Sequence, residues 1–163
     1  MSSARRLLIV GGIGLALLGM MYGVWYAVFA EHQELYGMGK ALATSFSAAA
    51  RRDSLASREA LKEYEERKYA YDRHVDAHGH WIGLALLLMV VGLALDRAAF
   101  PERMKMLLAA ALLAGSLLFP LGVLLETFTR GPGPRALSVA GSALVIASLA
   151  GMTLGFARAR TSN

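Results

Sequence analysis

YDRHVDAHGHWIGLALLLMVVGLAL, residues 71–95, is the stretch on which the reading of this chain turns. Its first ten residues hold three histidines, two aspartates, an arginine and a tyrosine. From Trp81 to Leu95 no Asp, Glu, Lys or Arg occurs. No proline separates the two halves, and Leu61, Tyr64, Tyr71, Val75, His78 and Ile82 recur at helical spacing. One helix therefore passes from a composition suited to water into one suited to lipid. It is expected to start near Ser57, with Ser57 or Ser54 as its cap. Glu63 and Arg67 lie four apart on its surface, a spacing that supports an exposed helix.

Three more apolar runs accompany this one. The spans are about 7–29, 77–95, 106–126 and 136–157. Each approaches or exceeds the roughly 20 residues that a hydrocarbon core requires. The expected fold is an all-α integral membrane protein with four transmembrane helices. The first run begins at Arg5 and Arg6, and Val28-Phe29-Ala30 would suit a signal peptidase. Its apolar stretch exceeds the usual h-region of about 7–15 residues, so a retained signal anchor is expected.

Residues 31–80 then form an extracytoplasmic helical hairpin that extends helices 1 and 2 outward. Met38, Leu42, Phe46 and Ala49 share one face of the outgoing arm, with a bend expected near Gly37 and Gly39. The reversal is expected at Arg51-Arg52-Asp53-Ser54. Arg5, Arg6, Arg97, Arg103, Lys105, Arg158 and Arg160 fall on one side of four crossings. The positive-inside rule places that side, and both termini, in the cytoplasm of a bacterial inner membrane. The RGPGPR turn at 130–135 joins the last two helices into an antiparallel hairpin.

Composition agrees with this sorting. Of 163 residues, 56% are hydrophobic and 18% charged, and mean hydropathy is +0.45. The net charge of +5 sits in short clusters beside apolar runs, and no aromatic-basic stripe suits nucleic acid. Cysteine is absent, which excludes disulfides and thiolate metal sites. No nucleotide-binding loop, nucleophile elbow or catalytic triad occurs. No acidic pair lies in mid-span, which argues against an ion-coupled transporter.

The four histidines are the candidates for chemistry. His32 follows the first span, and His78 and His80 open the second. Glu126 ends the third. These four are expected at similar depth, as a cofactor-binding group at the outer face. His74 and His78, four apart, stack on one helix face as a metal-chelating pair does. The ligand classes that fit are haem b, through paired axial imidazoles, a transition metal, and a quinone that exchanges protons with imidazole. The bland alternative is that the histidines are interfacial polar groups facing headgroups or water.

The run His78-Gly79-His80-Trp81-Ile82-Gly83-Leu84 resembles the His-x-His that opens an apolar helix in small membrane proteins related to haem–copper oxidase cores. The likeness covers one helix of four, and the long hairpin is foreign to that pattern. The leading expectation is a subunit of an electron-transfer assembly. Its rival is a non-catalytic accessory subunit that docks membrane or extracytoplasmic partners through the hairpin, with Tyr64, Tyr69 and Tyr71 packing the hairpin or meeting the partner. Small residues at Gly19 and Gly23, at Gly115 and Gly122, and at Ala143, Ala147, Gly151 and Gly155 promote close helix packing. Pro120 is expected to kink the third span. Trp25, Tyr26 and Trp81 are expected in an aromatic belt.

Overall fold

A computed structural model describes residues 1–160, with Arg160 described through its backbone alone. The regular structure among these residues is all helical: α1 (Ser3–Phe29), α2 (Glu31–Ala50), α3 (Ser54–Ala94), α4 (Glu102–Leu125) and α5 (Pro132–Arg160). A single 3-10 turn, Leu95–Arg97, ends α3. Helices α1, α4 and α5 and the C-terminal half of α3 are long and apolar enough to cross a membrane.

Helix α3 has 41 residues, about 60 Å at the helical rise. It is the axis of the fold. Helix α1 runs antiparallel to its apolar half and α2 to its charged half. The same register holds from Arg5–Asp96 through Glu31–Tyr71 to Ser45–Ser57, each step along the first arm matched to within one residue by a step back along α3 and the turn that ends it. The first arm breaks at Ala30 (φ −121°, ψ −42°). Gly37 and Gly39 lie inside α2, which runs unbroken from Glu31 to Ala50. Gly37 serves packing instead, because a Cβ there would meet the Arg67 guanidinium.

The reversal at 51–53 has a specific geometry. Asp53 N donates to Ala48 O at 3.0 Å and Arg52 N to Ala49 O at 2.9 Å. That is the Schellman closure of a helix C-terminus. Arg52 occupies the left-handed position (φ 59°) that usually favours glycine. Asp53, not Ser54 or Ser57, caps α3: its Oδ1 accepts from Ala56 N at 3.0 Å. Asp53→Ala is expected to lower stability by about 1 kcal/mol, read as a shift in the unfolding midpoint followed by helical circular dichroism.

The face that α2 turns to α3 differs from the one its large apolar residues suggest. Gly37, Ala41, Ser45 and Ala48 are buried. Phe46 is 68% exposed and Leu35 46%. Small residues win because they let the two backbones approach closely. Ser45 Oγ reaches Ser57 O at 3.1 Å. Glu34 and Glu63 both engage Arg67, at 3.7 and 3.1 Å.

Helix α4 packs against both α1 and α3, and α5 packs chiefly along α4, so α5 stands at the outside of the bundle. The α4–α5 contact is built on glycine. A Cβ on Gly115 would lie 2.7 Å from Gly141 O, and one on Gly122 would lie 2.5 Å from Ser138 N. Those two glycines therefore admit a neighbouring helix. The buried face of α5 includes Gly141, Val145, Ser148, Met152 and Gly155, while Ala143 and Ala147 are exposed. Helix α4 continues through Pro120 to Leu125. Proline has no N–H to offer the Ser116 carbonyl, and the buried Ser116 Oγ has no hydrogen-bond partner among the described residues.

The end of the bundle where α1 starts is tied by polar contacts. Ser2 Oγ donates to Asp96 Oδ1 at 2.5 Å, and Arg5 pairs with Asp96 Oδ2 at 3.0 Å. The buried Lys105 donates to Asp96 O at 3.3 Å.

Candidate functional site

The long helix α3 carries His74, His78 and His80, and its neighbours decide what each imidazole meets. His74 and His78 share the face turned to α1. His74 Nδ1 is hydrogen-bonded to the Tyr22 hydroxyl. Its ring stacks on Tyr26 at 4.6 Å between centroids. Trp81 stands edge-on to Tyr22 at 5.3 Å. Tyr26 and Trp81 are 5% and 4% exposed. These two rings thus build the α1–α3 interface, and only Trp25 of the expected aromatic belt faces outward.

His78 Nδ1 lies 2.9 Å from Gly19 O. A carbonyl only accepts, so Nδ1 carries the proton and the tautomer is set. The ring fits against α1 because Gly23 has no side chain: a Cβ there would fall 2.5 Å from Nδ1. The Gly19 and Gly23 spacing therefore works inside the chain, against α3.

His80 points elsewhere. Its Nδ1 donates to Asp76 O at 2.6 Å. Its ring meets the Phe119 ring of α4 edge-on at 4.7 Å. The imidazole is exposed. It borders an open groove of about 470 Å³ lined by Val75, Asp76, Gly79, His80, Gly83 and Leu84. A Cβ on Gly79 or Gly83 would meet nothing within 4 Å, so the two glycines leave the floor of the groove flat and unobstructed.

His32 and Glu126 join neither place. The register that pairs Gly23 with His78 and Glu31 with Tyr71 carries His32 about 13 Å further along the rod. Its side chain is exposed. Glu126 accepts from the Tyr69 hydroxyl at 2.9 Å. Arg130 and Arg73 stack over Tyr69 at 4.5 and 5.2 Å. That cluster fastens the α4–α5 turn to the charged half of α3.

The four residues expected to converge, His32, His78, His80 and Glu126, thus occupy separate places. A helix turns about 100° per residue, so His78 and His80 diverge, and Gly79 does not distort α3 enough to reunite them. Among the described residues no group of three or more His, Cys, Asp or Glu is placed to share a metal ion. His74 and His78 do share a face, with both Nδ1 atoms engaged by α1.

Tyr22 as the partner of His74, and Gly83 as groove floor, escape the sequence reading. The only signal for Tyr22 is its place in the antiparallel register. Gly83 is marked by its spacing of four from Gly79, the small-xxx-small pattern of an open helix face. Against protein-family models, curated proteins and solved structures, the chain matches none.

Proposed function

We propose that this chain is an integral membrane protein that binds the headgroup of a lipid-soluble quinol in the groove beside His80. The membrane part of this reading is supported by apolar side chains left exposed on all four long helices. Ile13, Leu17 and Met21 of α1, Leu86 and Val90 of α3, Leu107 of α4 and Ile146 of α5 are all more than half exposed. A water-soluble protein rarely leaves so continuous an apolar surface. With the basic flanks in the cytoplasm, α2 and the charged half of α3 stand outside the membrane. The His80 groove then opens to the outer leaflet.

The single observation that carries the quinol reading is the state of His80. Its Nδ1–H is committed to Asp76 O, its ring is braced by Phe119, and among the described residues its Nε2 has no hydrogen-bond partner. In the neutral ring that Nε2 is an acceptor. An acceptor on the border of a largely apolar groove suits a phenolic O–H, and a neutral imidazole can take its proton. The Asp76 side chain at the rim offers the next proton acceptor. Electrons would pass to a carrier in another subunit of an electron-transfer assembly. Haem draws less support, because His78 faces α1 and His80 faces α4. A metal at His74 and His78 would need further ligands and a turned Tyr22.

The test is binding of a naphthoquinol analogue to protein in lipid nanodiscs, followed by tryptophan fluorescence. His80→Ala is expected to weaken binding by at least about tenfold, the loss of one hydrogen bond in an apolar site. His78→Ala is expected to leave it unchanged. Equal binding by His80→Ala would sink the proposal. A Soret band in purified protein that is lost in His78→Ala would move the site to the α1 face.

One observation favours a second reading, a non-catalytic accessory subunit. Leu35, Phe46 and Ala49 of α2 are exposed, and the half-buried Met38 and Leu42 border them at three- and four-residue spacing. Heptad-like spacing suits a helix of an extracytoplasmic subunit. Tyr64, Tyr69 and Tyr71 are less suited, since all three are half-buried. Loss of a co-purifying subunit in Leu42→Ser/Phe46→Ser, with quinol binding absent in the parent, would establish this reading over the first.

A further inference from the structure

At the opposite end of the bundle, two cavities meet between the N-terminal turns of α1 and α4. Ser3 and Met106 line both. The outer cavity, about 750 Å³, is bordered by Arg103 and Glu102. The deeper one, about 470 Å³, has Arg6 at its mouth and Leu7, Val10 and Gly11 along its wall. The side chain of Leu113 lies beside Gly11, where a Cβ would fall 2.8 Å from its Cδ atoms. Together they form one groove that is cationic at the rim and apolar below.

Four of the cations at this end divide into two sets. Arg5 is held by Asp96, and Lys105 by the Asp96 carbonyl. Arg6 and Arg103 are exposed, and among the described residues neither guanidinium has an ion pair or hydrogen bond. Both guanidiniums border the same groove, and among the described residues that line it Glu102 brings the one opposing carboxylate. Guanidinium is the side chain best matched to the oxygens of a phosphate. From Arg6 to Gly11 the wall runs about 8 Å, room for a glycerol backbone and the first part of an acyl chain.

We infer that this groove is a binding site for an anionic phospholipid. Arg6 and Arg103 hold the phosphodiester, and one acyl chain lies along Leu7, Val10, Gly11 and Met106. The inference rests on the membrane reading above but not on the quinol site. Its chemistry is that of basic pockets between membrane helices, where charge recruits the headgroup and the apolar floor retains the chain. Two guanidiniums against one carboxylate favour a lipid with net negative charge over a zwitterionic one.

The experiment is native mass spectrometry of the full chain in detergent, with equimolar phosphatidylglycerol, phosphatidylethanolamine and phosphatidylcholine. A predominant phosphatidylglycerol adduct is expected. Arg6→Gln/Arg103→Gln should reduce it about tenfold, the loss of two guanidinium contacts near the surface. Arg97→Gln removes an exposed charge at the same end but outside the groove, and should leave the adduct unchanged. Soluble glycerophosphoglycerol should not displace the lipid, because it lacks the chain. Equal adducts from all three lipids, displacement by the soluble headgroup, or an equal loss in Arg97→Gln would each overturn the site. A chain that stays in solution without detergent and takes up no lipid would overturn the membrane reading itself, a different and separately visible result.

Discussion

Gly141→Ala should cost about 3 kcal/mol of stability and separate α5 from α4. A methyl group there would fall on the Phe119 backbone nitrogen and 2.7 Å from its Cα. Backbone cannot rotate aside as a side-chain tip can, so the whole helix must retreat. Retreat also opens the contacts at Gly115 and Gly122, where Gly141 O and Ser138 N lie against the opposite backbone. Helix α5 has little else to hold it, since it packs chiefly along α4. The measurement is the thermal midpoint in detergent, with protease sensitivity of the 126–131 turn as a local readout. Gly14→Ala is the control: nothing lies within 4 Å of a Cβ at that position, so no loss is expected. Equal midpoints for the two variants would show that the α4–α5 contact is looser than described.

Gly23→Ala is expected to be the second large effect, about 2 kcal/mol, as an overpacked interface gives. The added methyl meets the imidazole of His78, 2.5 Å from Nδ1 and 3.1 Å from Nε2. The ring cannot swing away freely, because Nδ1 is bonded to Gly19 O. Either that bond breaks or α1 shifts away from α3. The informative variant is the double change Gly23→Ala/His78→Ala. Removing the ring vacates the space the methyl needs, so the double variant should be more stable than Gly23→Ala alone. Additive losses would mean that Gly23 and His78 do not touch. Neither change should alter quinol binding at the His80 groove, which lies on another face of α3.

The two glycine predictions expose how much of this protein was legible in its residues. The four apolar runs, a long helix from near Ser57 through the second span and a reversal around Arg51-Arg52-Asp53-Ser54 are one-dimensional features. They follow from where charge stops, where proline is absent and where Arg-Arg-Asp interrupts a helical spacing. The antiparallel pairing of α4 with α5 was equally plain, because the turn between them is short.

The rotation of each helix about its own axis was not legible. In α1, α4 and α5 apolar residues cover every face, so periodicity marks no buried side. In α2 the periodic apolar face was visible, but it is not the buried one: Phe46 and Ala49 are exposed and Met38 and Leu42 only half-buried. The small residues Gly37, Ala41, Ser45 and Ala48 permit closer backbone approach than Leu42 and Phe46 do, and close approach decided the contact. The same rule governs the histidines. His78 turns to α1 because Gly23 makes room for it.

Composition and spacing alone therefore determined which segments are helices and which are long and apolar enough to cross a membrane. Those properties depend on neighbours along the chain. Tertiary structure decided that His78 and His80 part company, that Glu126 binds Tyr69 and that His80 borders an open groove. Those outcomes depend on steric fit between surfaces far apart in sequence, and a glycine's contribution to such a fit is visible only once the opposing backbone is in place.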